Sequence, residues 1–472
     1  MNRRYWLGLP VMVATLALVG CNNGGSAPEA PPAATGPRLL TQISVPNIAA
    51  GKTFSFDIGM ICNGLYYLTD KINKSVDVVD PNDLTKLKAQ ISGTGATAFF
   101  GIPKAGDNTH SGPTGITCVN SLIYVGDVNS VKIIDPSTNT ITKNIVVSNT
   151  ADTVTGITGT AGRRADESCF DPDDNLYAIS SPEETPPFMT FINTTTQAVV
   201  ARLTFVDPQG NPGAGLEQCV YDHASKAFIV NNDGTTDNPH GELNIIPAAA
   251  VVALIASGTS TGQGCNGPFT GAFLPTGGAI TASTGNSAAG ITTVCGNYTS
   301  LAPPVIASSQ GTCEPKGMDL GPGTDLIVMC SQTTGFYATG TPLFSLIMNR
   351  STGAKVQAIP FGGGDELWYD PPSNRYILPT GNWTATGGKA APGTASLTPR
   401  LQIVDATSRT LVASLPMGQG AHSVAVDPTT GLAFVPYSFP VAVTTPPAAA
   451  PTCADCAANG FTSGGISVFA IK

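Results

Sequence analysis

Asp166 and Glu167, Glu217 and Gln218, Lys316, Asp365 and Glu366, and His422 stand at comparable distances ahead of a recurring turn. Among them are five carboxylates, one lysine and one histidine. Where such positions meet, like charges converge, and the cluster is stable only if protonation, the lysine or a bound cation relieves it. Oxygen donors suit calcium or magnesium, and a histidine widens the choice to zinc or manganese. Asp166, Glu217, Asp365 and His422 are therefore the candidate metal set, with calcium the expected ion. A cation there would polarise a carbonyl and lower the pKa of a bound water, with His422 or Glu366 as general base. The competing expectation is structural. Such carboxylates accept hydrogen bonds from neighbouring backbone N–H groups, and adjacent positions on a strand cannot all face one point.

Other reactive side chains are few. Of the four histidines, His110 and His240 fall on the same side of the repeats as His422 and are expected to be solvated, while His223 falls on the opposite side. Cys453 and Cys456 have C-x-x-C spacing, but Ala457 follows instead of the histidine of a haem attachment motif, and no second pair completes a zinc site. They are expected to form a local disulfide within a Pro/Ala loop. Trp368 and Tyr376 occupy strand positions and read as core, whereas Trp383, in GNWTATGG, is placed to stack on a ligand such as a sugar. No nucleophile elbow, Walker loop or dinucleotide fingerprint occurs in a plausible context.

The elements that must position these residues are short strands. Residues 116–147 read as four β-branched runs, ITCV, SLIYVGD, SVKIID and TITKNIVV, each bounded by turn residues, which predicts one antiparallel meander. Its third strand and turn recur as SVDVVDPND, SVKIIDPST, MTFINTTT, ELNIIPAAA, FSLIMNRST, RLQIVDATS and GISVFAIK, seven copies in all. The hairpin that opens each unit recurs as well, for example CFDPDDNLYAIS, LWYDPPSNRYILP and VAVDPTTGLAFVP. One such sheet leaves two apolar faces unburied, so sheets of this kind must stack on one another.

The last copy stops after its third strand, and RLLTQISVP, residues 38–46, resembles the fourth strand of the other units. Pairing the two would close a ring and remove both open edges. The expected fold is all-β: a seven-bladed β-propeller of four-stranded antiparallel blades, closed by the N-terminal strand against the last blade. Residues 257–312, rich in Gly, Ser and Thr, break the rhythm and read as an excursion between blades four and five pinned by Cys265 and Cys295. Their length leaves an eight-bladed ring as the alternative.

The stretch YVGDVNSVKIIDPSTNTITKNIVV resembles the YVTN-type bacterial surface propeller repeat, a relative of NHL and WD40-like propellers. The likeness is close in blades one and two, recognisable in six and seven, and loose in three to five. Proteins of this kind serve as binding scaffolds, lactonases and lyases, so the resemblance implies the fold rather than one activity.

Composition agrees with a turn-rich β protein: Gly 53 and Pro 38 accompany only 12% charged residues. The formal net charge of -9, with no cluster of Lys and Arg, argues against a nucleic-acid partner. The first residues pair a basic start, MNRRYW, with an apolar run and then Leu18-Val19-Gly20-Cys21, which resembles a bacterial lipobox. Residues 1–20 are thus expected to be a lipoprotein signal peptide, Cys21 the lipidated terminus, 21–37 a flexible tether, and 38–472 the propeller. Asn22 after the cysteine points to the outer rather than the inner membrane in that class. Setting Cys21 aside leaves ten cysteines, an even number that an oxidising compartment allows to pair. The expected neighbours are Cys62 with Cys118, Cys169 with Cys219, Cys265 with Cys295, Cys313 with Cys330, and Cys453 with Cys456.

The leading functional expectation is an envelope-anchored binding scaffold that meets a protein, a polysaccharide or a small polar ligand at its channel mouth. Its ligand-binding candidates are Asp166, Glu167, Glu217, Lys316, Asp365 and Trp383. The alternative is a metal-dependent hydrolase of the propeller lactonase type, or more remotely a lyase, using the acidic ring with His422.

Overall fold

Turn chemistry sets the blades. The computed structural model describes residues 36–48, 53–205, 212–234, 242–257, 293–294, 299–301, 314–331, 343–381, 397–438 and 453–472. Between third and fourth strands an Asp or Asn folds back on its own backbone. The Asp135 carboxylate accepts the Ser137 N–H at 2.8 Å, and Asn193, Asn349 and Asp405 do the same for Thr195, Ser351 and Thr407. The opening hairpins repeat the device with Asp171, Asp222, Asp370 and Asp427. Each turn ends in a left-handed residue, Asn139 at φ 54° or Asn374 at φ 52°, where Asn tolerates what most side chains resist.

These turns fold the chain into seven blades, each with four antiparallel strands. The innermost strands, in chain order, are Phe56–Cys62, Ile116–Val119, Ser168–Asp171, Leu216–Asp222, Glu314–Leu320, Trp368–Asp370 and Ala425–Asp427. Closure is as expected: Arg38–Ser44 pairs antiparallel with Gly465–Ala470, completing blade seven from the other end of the chain. Hydrophobic residues form seven clusters rather than one centre, and each straddles the interface between two neighbouring blades. Ile43, on the closing strand, belongs to the cluster shared by blades seven and one, with Phe54, Tyr66, Phe434 and Ile466.

Three expectations change. The Gly/Ser/Thr-rich excursion does not lie between blades. Thr299–Leu301 pairs with Glu242–Pro247 as the fourth strand of blade four, so the excursion interrupts that blade, and no eighth blade forms among the described residues. A second short strand, Thr293–Val294, adds in parallel to Ala198–Thr204 of blade three. The alanines after ELNIIP make no turn; they open helix α1, Ala248–Ser257, whose Ala248 and Val251 pack into the cluster between blades three and four. An Ala-rich run has high helix propensity, and here an apolar surface is available to receive it.

Two predicted disulfides staple neighbouring innermost strands. Cys62–Cys118 joins blades one and two, and Cys169–Cys219 joins blades three and four. Cys330 is disulfide-bonded, while Cys313, Cys265 and Cys295 fall outside the described residues. Cys453–Cys456 is also bonded, but its surroundings correct the sequence reading: Cys453 caps a short helix, α2, Ala454–Ala458, instead of lying in a plain loop. No helix among the described residues is long and apolar enough to cross a membrane.

The closing strand can be tested by its one buried anchor. Ile43 is 0% exposed while Leu40, on the same strand, is 39% exposed. Ile43→Ala is expected to destabilise the protein by about 2–5 kcal/mol, and Leu40→Ala by less than about 0.5 kcal/mol. Thermal denaturation of the two variants beside the wild type checks the difference.

Candidate functional site: the charged mouth and the channel beneath it

The innermost strands approach one another so closely at the axis that two carry glycine there. A Cβ on Gly115 would meet the Asp166 carbonyl at 2.1 Å, and one on Gly317 would meet the backbone of Asp365 and Glu366 at 3.0 Å. The same crowding brings the sequence-predicted ring together, but in two layers. Asp166, Glu217, Lys316, Asp365 and His422 belong to the mouth layer, and the residues that follow three of them, Glu167, Gln218 and Glu366, line the channel wall below. The innermost strands run along the channel, so successive residues stand at successive depths.

The mouth layer neutralises itself with the expected Lys316 and with two cations, Lys71 and Arg164, that sequence reasoning missed. Lys71 Nζ lies 2.8 Å from Asp57, and Arg164 lies 2.5 Å from Asp166 and 3.3 Å from Glu183. Lys316 contacts Glu217 and, at 2.9 Å, Asp233. Lys71, Arg164, Asp166 and Lys316 are all buried. Burial works against the Arg164 and Lys316 charges, yet Asp166, Asp57 and Glu183 hold the guanidinium above its usual range, and Glu217 and Asp233 do so for the ammonium. Burial alone would raise Asp57, but nearby Lys71 and His422, with Arg164, outweigh it and keep the carboxylate well below the usual range. Asp166 is pushed up to about 6 by burial, with Arg164 opposing. Glu217 rises to about 8 through burial reinforced by Asp233 and Asp365 against Lys316, as fits two carboxylates sharing one ammonium.

His422 is held on both sides. Its Nδ1 lies 2.7 Å from the Gly420 carbonyl, so Nδ1 carries the proton and donates. Its Nε2 faces Asp57 at 3.7 Å, and its ring stacks on Phe56 at 4.7 Å. Burial opposes its charge, but Asp57 and Asp365 raise its pKa overall. That environment suits an imidazolium anchoring a carboxylate better than a free base. Among the described residues no three His, Cys, Asp or Glu side chains are grouped to hold a metal ion.

Of the remaining candidates, Trp383, His240 and Cys21 fall outside the described residues. His110 departs from the solvated expectation: its Nδ1 lies 2.9 Å from Asp107 and its Nε2 3.5 Å from Asp152, and it is 9% exposed. His223 is exposed and pairs with Asp173 on the far face. The missed partners had a signal. Lys71 and Asp233 directly follow second strands, Leu65–Asp70 and Ala227–Asn232, and such corners share the mouth face; Arg164 stands two residues before Asp166.

In the wall below, the structural role expected for such polar groups appears at several blade junctions. The Gln218 amide oxygen accepts the Met318 N–H at 2.5 Å, Asp319 accepts the Tyr369 N–H at 2.6 Å, and Thr117 meets the Ser168 hydroxyl at 2.7 Å. Glu366 accepts the Val424 N–H with one oxygen, whereas its Oε2 is buried with no hydrogen-bond partner. Trp368, read as core from sequence, is half-buried: it packs against two of the core clusters and also lines the channel. Burial, with Asp319, Asp57 and Asp365 nearby, raises Glu366 well above the carboxylate range, and Glu167 rises through burial beside Asp166, Glu217 and Glu366. Burial lifts Asp319 to about 7 against its two backbone hydrogen bonds.

These shifts fix a pH dependence. An acid whose folded pKa is raised contributes stability below its unfolded pKa and loses it as pH rises towards the folded value. Glu366 should therefore cost stability from about pH 4.5 upward, at up to about 1.4 kcal/mol per pH unit for one withheld proton. Glu366→Gln mimics the protonated side chain without opposing a donor at the unpartnered Oε2. Its melting temperature is expected to match the wild type at about pH 4.5 and exceed it at about pH 8, as paired thermal scans would show.

No family model matches the chain, and no curated protein does. Solved structures show the fold alone. The U3-55K structure aligns with a TM-score of 0.50 at 7% identity, covering 92% of this chain and 98% of that one. Kuenenia stuttgartiensis hydrazine synthase aligns at 0.49 and 12% identity over 80% of this chain and 91% of that one. The Neurospora crassa Pan2 WD40 domain aligns at 0.47 and 9% identity over 89% of each chain.

Proposed function

We propose that this chain is an exported, lipid-anchored propeller of the YVTN type that binds a polymeric envelope partner, protein or polysaccharide, through its mouth face. The observation that carries the reading is a gradient of connection lengths. Between second and third strands the chain uses residues 71–74, 128–129 and 182–187 in blades one to three, then 233–241, 332–344, 381–399 and 438–464 in blades four to seven. Connections of all seven blades are of one kind and share one face, so the extra length is invested on one side of the mouth. Binding sequence is usually carried on such connections above a rigid scaffold. Trp383 lies in the blade six connection.

Catalysis at the mouth has less support. A metal-dependent hydrolase would need carboxylates free to converge on one ion, and of the candidate set Asp166 and Glu217 are matched to Arg164 and Lys316, as Asp57 beside them is to Lys71. His422 has both ring nitrogens engaged. The apolar leader and Cys21 support export and lipidation.

Replacing residues 382–396 or 439–452 by short Gly/Ser linkers tests the binding reading. Both variants are expected to keep a melting temperature within a few degrees of the wild type, since loop closure costs little, and to lose retention on isolated envelope polysaccharide or a cross-linked envelope protein. Unchanged retention, or hydrolysis of a lactone and ester panel dependent on added calcium, would overturn it. Cys21→Ser is expected to abolish labelling by a clickable fatty acid and release the protein from membranes; labelling that persists would remove the anchor from the reading.

A further inference from the structure

Below the mouth layer the channel holds a cavity of about 500 Å³. Its lining runs down to Pro371, Pro372 and Pro428 in the opening hairpins, so it is reached from the face opposite the mouth. Three acids from three different blades line it: Glu167, Asp319 and Glu366. The mouth cations do not serve this layer, because Lys71, Arg164 and Lys316 already pair with Asp57, Asp166, Glu217 and Asp233. Glu366 is 3% exposed and its Oε2 has no partner. A buried polar oxygen left unpaired costs about 1–3 kcal/mol, and once its carboxyl ionises it accepts an arriving donor.

The occupant's chemistry follows from spacing and walls. The acids share the cavity, yet no three carboxylates among the described residues are grouped as metal ligands, so one compact ion cannot satisfy them together. Between them the wall is apolar or aromatic, with Met60, Leu320 and Trp368. A chain of methylenes carrying separated positive charges matches both features, and an aromatic face adds cation–π attraction. We propose that the channel cavity binds an aliphatic di- or polyamine, its ammonium groups on Glu366, Glu167 and Asp319 and its methylenes against Met60, Leu320 and Trp368. The site is separate from the mouth face and does not depend on the partner proposed there.

Empty, the cavity disfavours charge on Glu366 and Glu167, because burial and neighbouring carboxylates raise the pKa of both. Binding of an ammonium lets a facing carboxyl ionise, and the displaced proton passes to the buffer. The association involves no covalent step.

The test uses the full chain with spermidine and putrescine as probes, 1,4-butanediol as the uncharged analogue, and magnesium as the compact cation, all at constant ionic strength. At about a thousandfold excess over Kd, spermidine is expected to raise the melting temperature by about 4 °C, with no shift from butanediol or magnesium. Glu366→Gln is expected to weaken calorimetric spermidine affinity about tenfold or more, as loss of a charge-assisted contact does, while melting at or above the wild-type temperature. Binding heats in buffers of different ionisation enthalpy should show proton release with the wild type and less with the variant. The proposal is overturned if spermidine produces no shift, if magnesium or butanediol matches it, or if Glu366→Gln binds spermidine like the wild type. Asp83→Asn, an exposed change, serves as the control and should leave affinity unchanged.

Discussion

Ring closure is the constraint on which the rest depends. A blade buries its two faces only if it has a neighbour on each side, and seven clusters at seven junctions leave no blade with a free face. The junction between blades seven and one exists because Arg38–Ser44 pairs with Gly465–Ala470. This pairing joins parts of the chain far apart in sequence, so the most non-local contact also completes the core. Tyr437 reinforces it, donating its hydroxyl to Gln42 at 2.9 Å. Unpaired edges at the same place would invite association with other chains.

Closure creates a second problem at the axis. Innermost strands from every blade come together where glycine is needed for clearance, and the polar residues leading into them lose water. Two solutions are stacked along the channel. The mouth layer supplies buried cations and becomes a set of ion pairs, Asp57 with Lys71, Asp166 with Arg164, Glu217 with Lys316. The wall beneath has acids without matching cations: burial raises the pKa of Glu366, and Asp319 accepts a hydrogen bond across a blade junction. Buried ion pairs contribute little net stability, but removing one partner is costly, so the mouth layer fixes the geometry of the loops above it more than it stabilises the ring.

Much of the fold was legible because the repeat is written in turn chemistry. Asp135, Asn193, Asn349 and Asp405 hold equivalent bonds in different blades, and a pattern that local is visible in sequence. Disulfides between neighbouring innermost strands were legible for a related reason: Cys62–Cys118 and Cys169–Cys219 are separated by 56 and 50 residues, about one blade. The helix Ala248–Ser257 was not, since its alanines occupy the place of a turn and only the surface under Val251 decides the outcome. Nor was Thr299–Leu301, a strand of three residues whose identity as the fourth strand of blade four comes wholly from its partner.

The candidate site was legible to the same depth. Positions ahead of each innermost strand could be aligned, so the ring members were found by counting. Which side chain neutralises which could not, because Lys71 and Asp233 arrive from the corners after second strands and meet the ring only in space. An acidic cluster in sequence therefore invites a metal, while the folded chain brings its own cations to the mouth. The remaining acids, one layer down, are the ones without that answer. Glu366 shows the difference most directly: one oxygen is engaged by Val424 in joining blades six and seven, and the other is buried without a hydrogen-bond partner in a residue that lines the cavity. A residue required for assembly through half of its carboxyl is free to serve recognition through the other half.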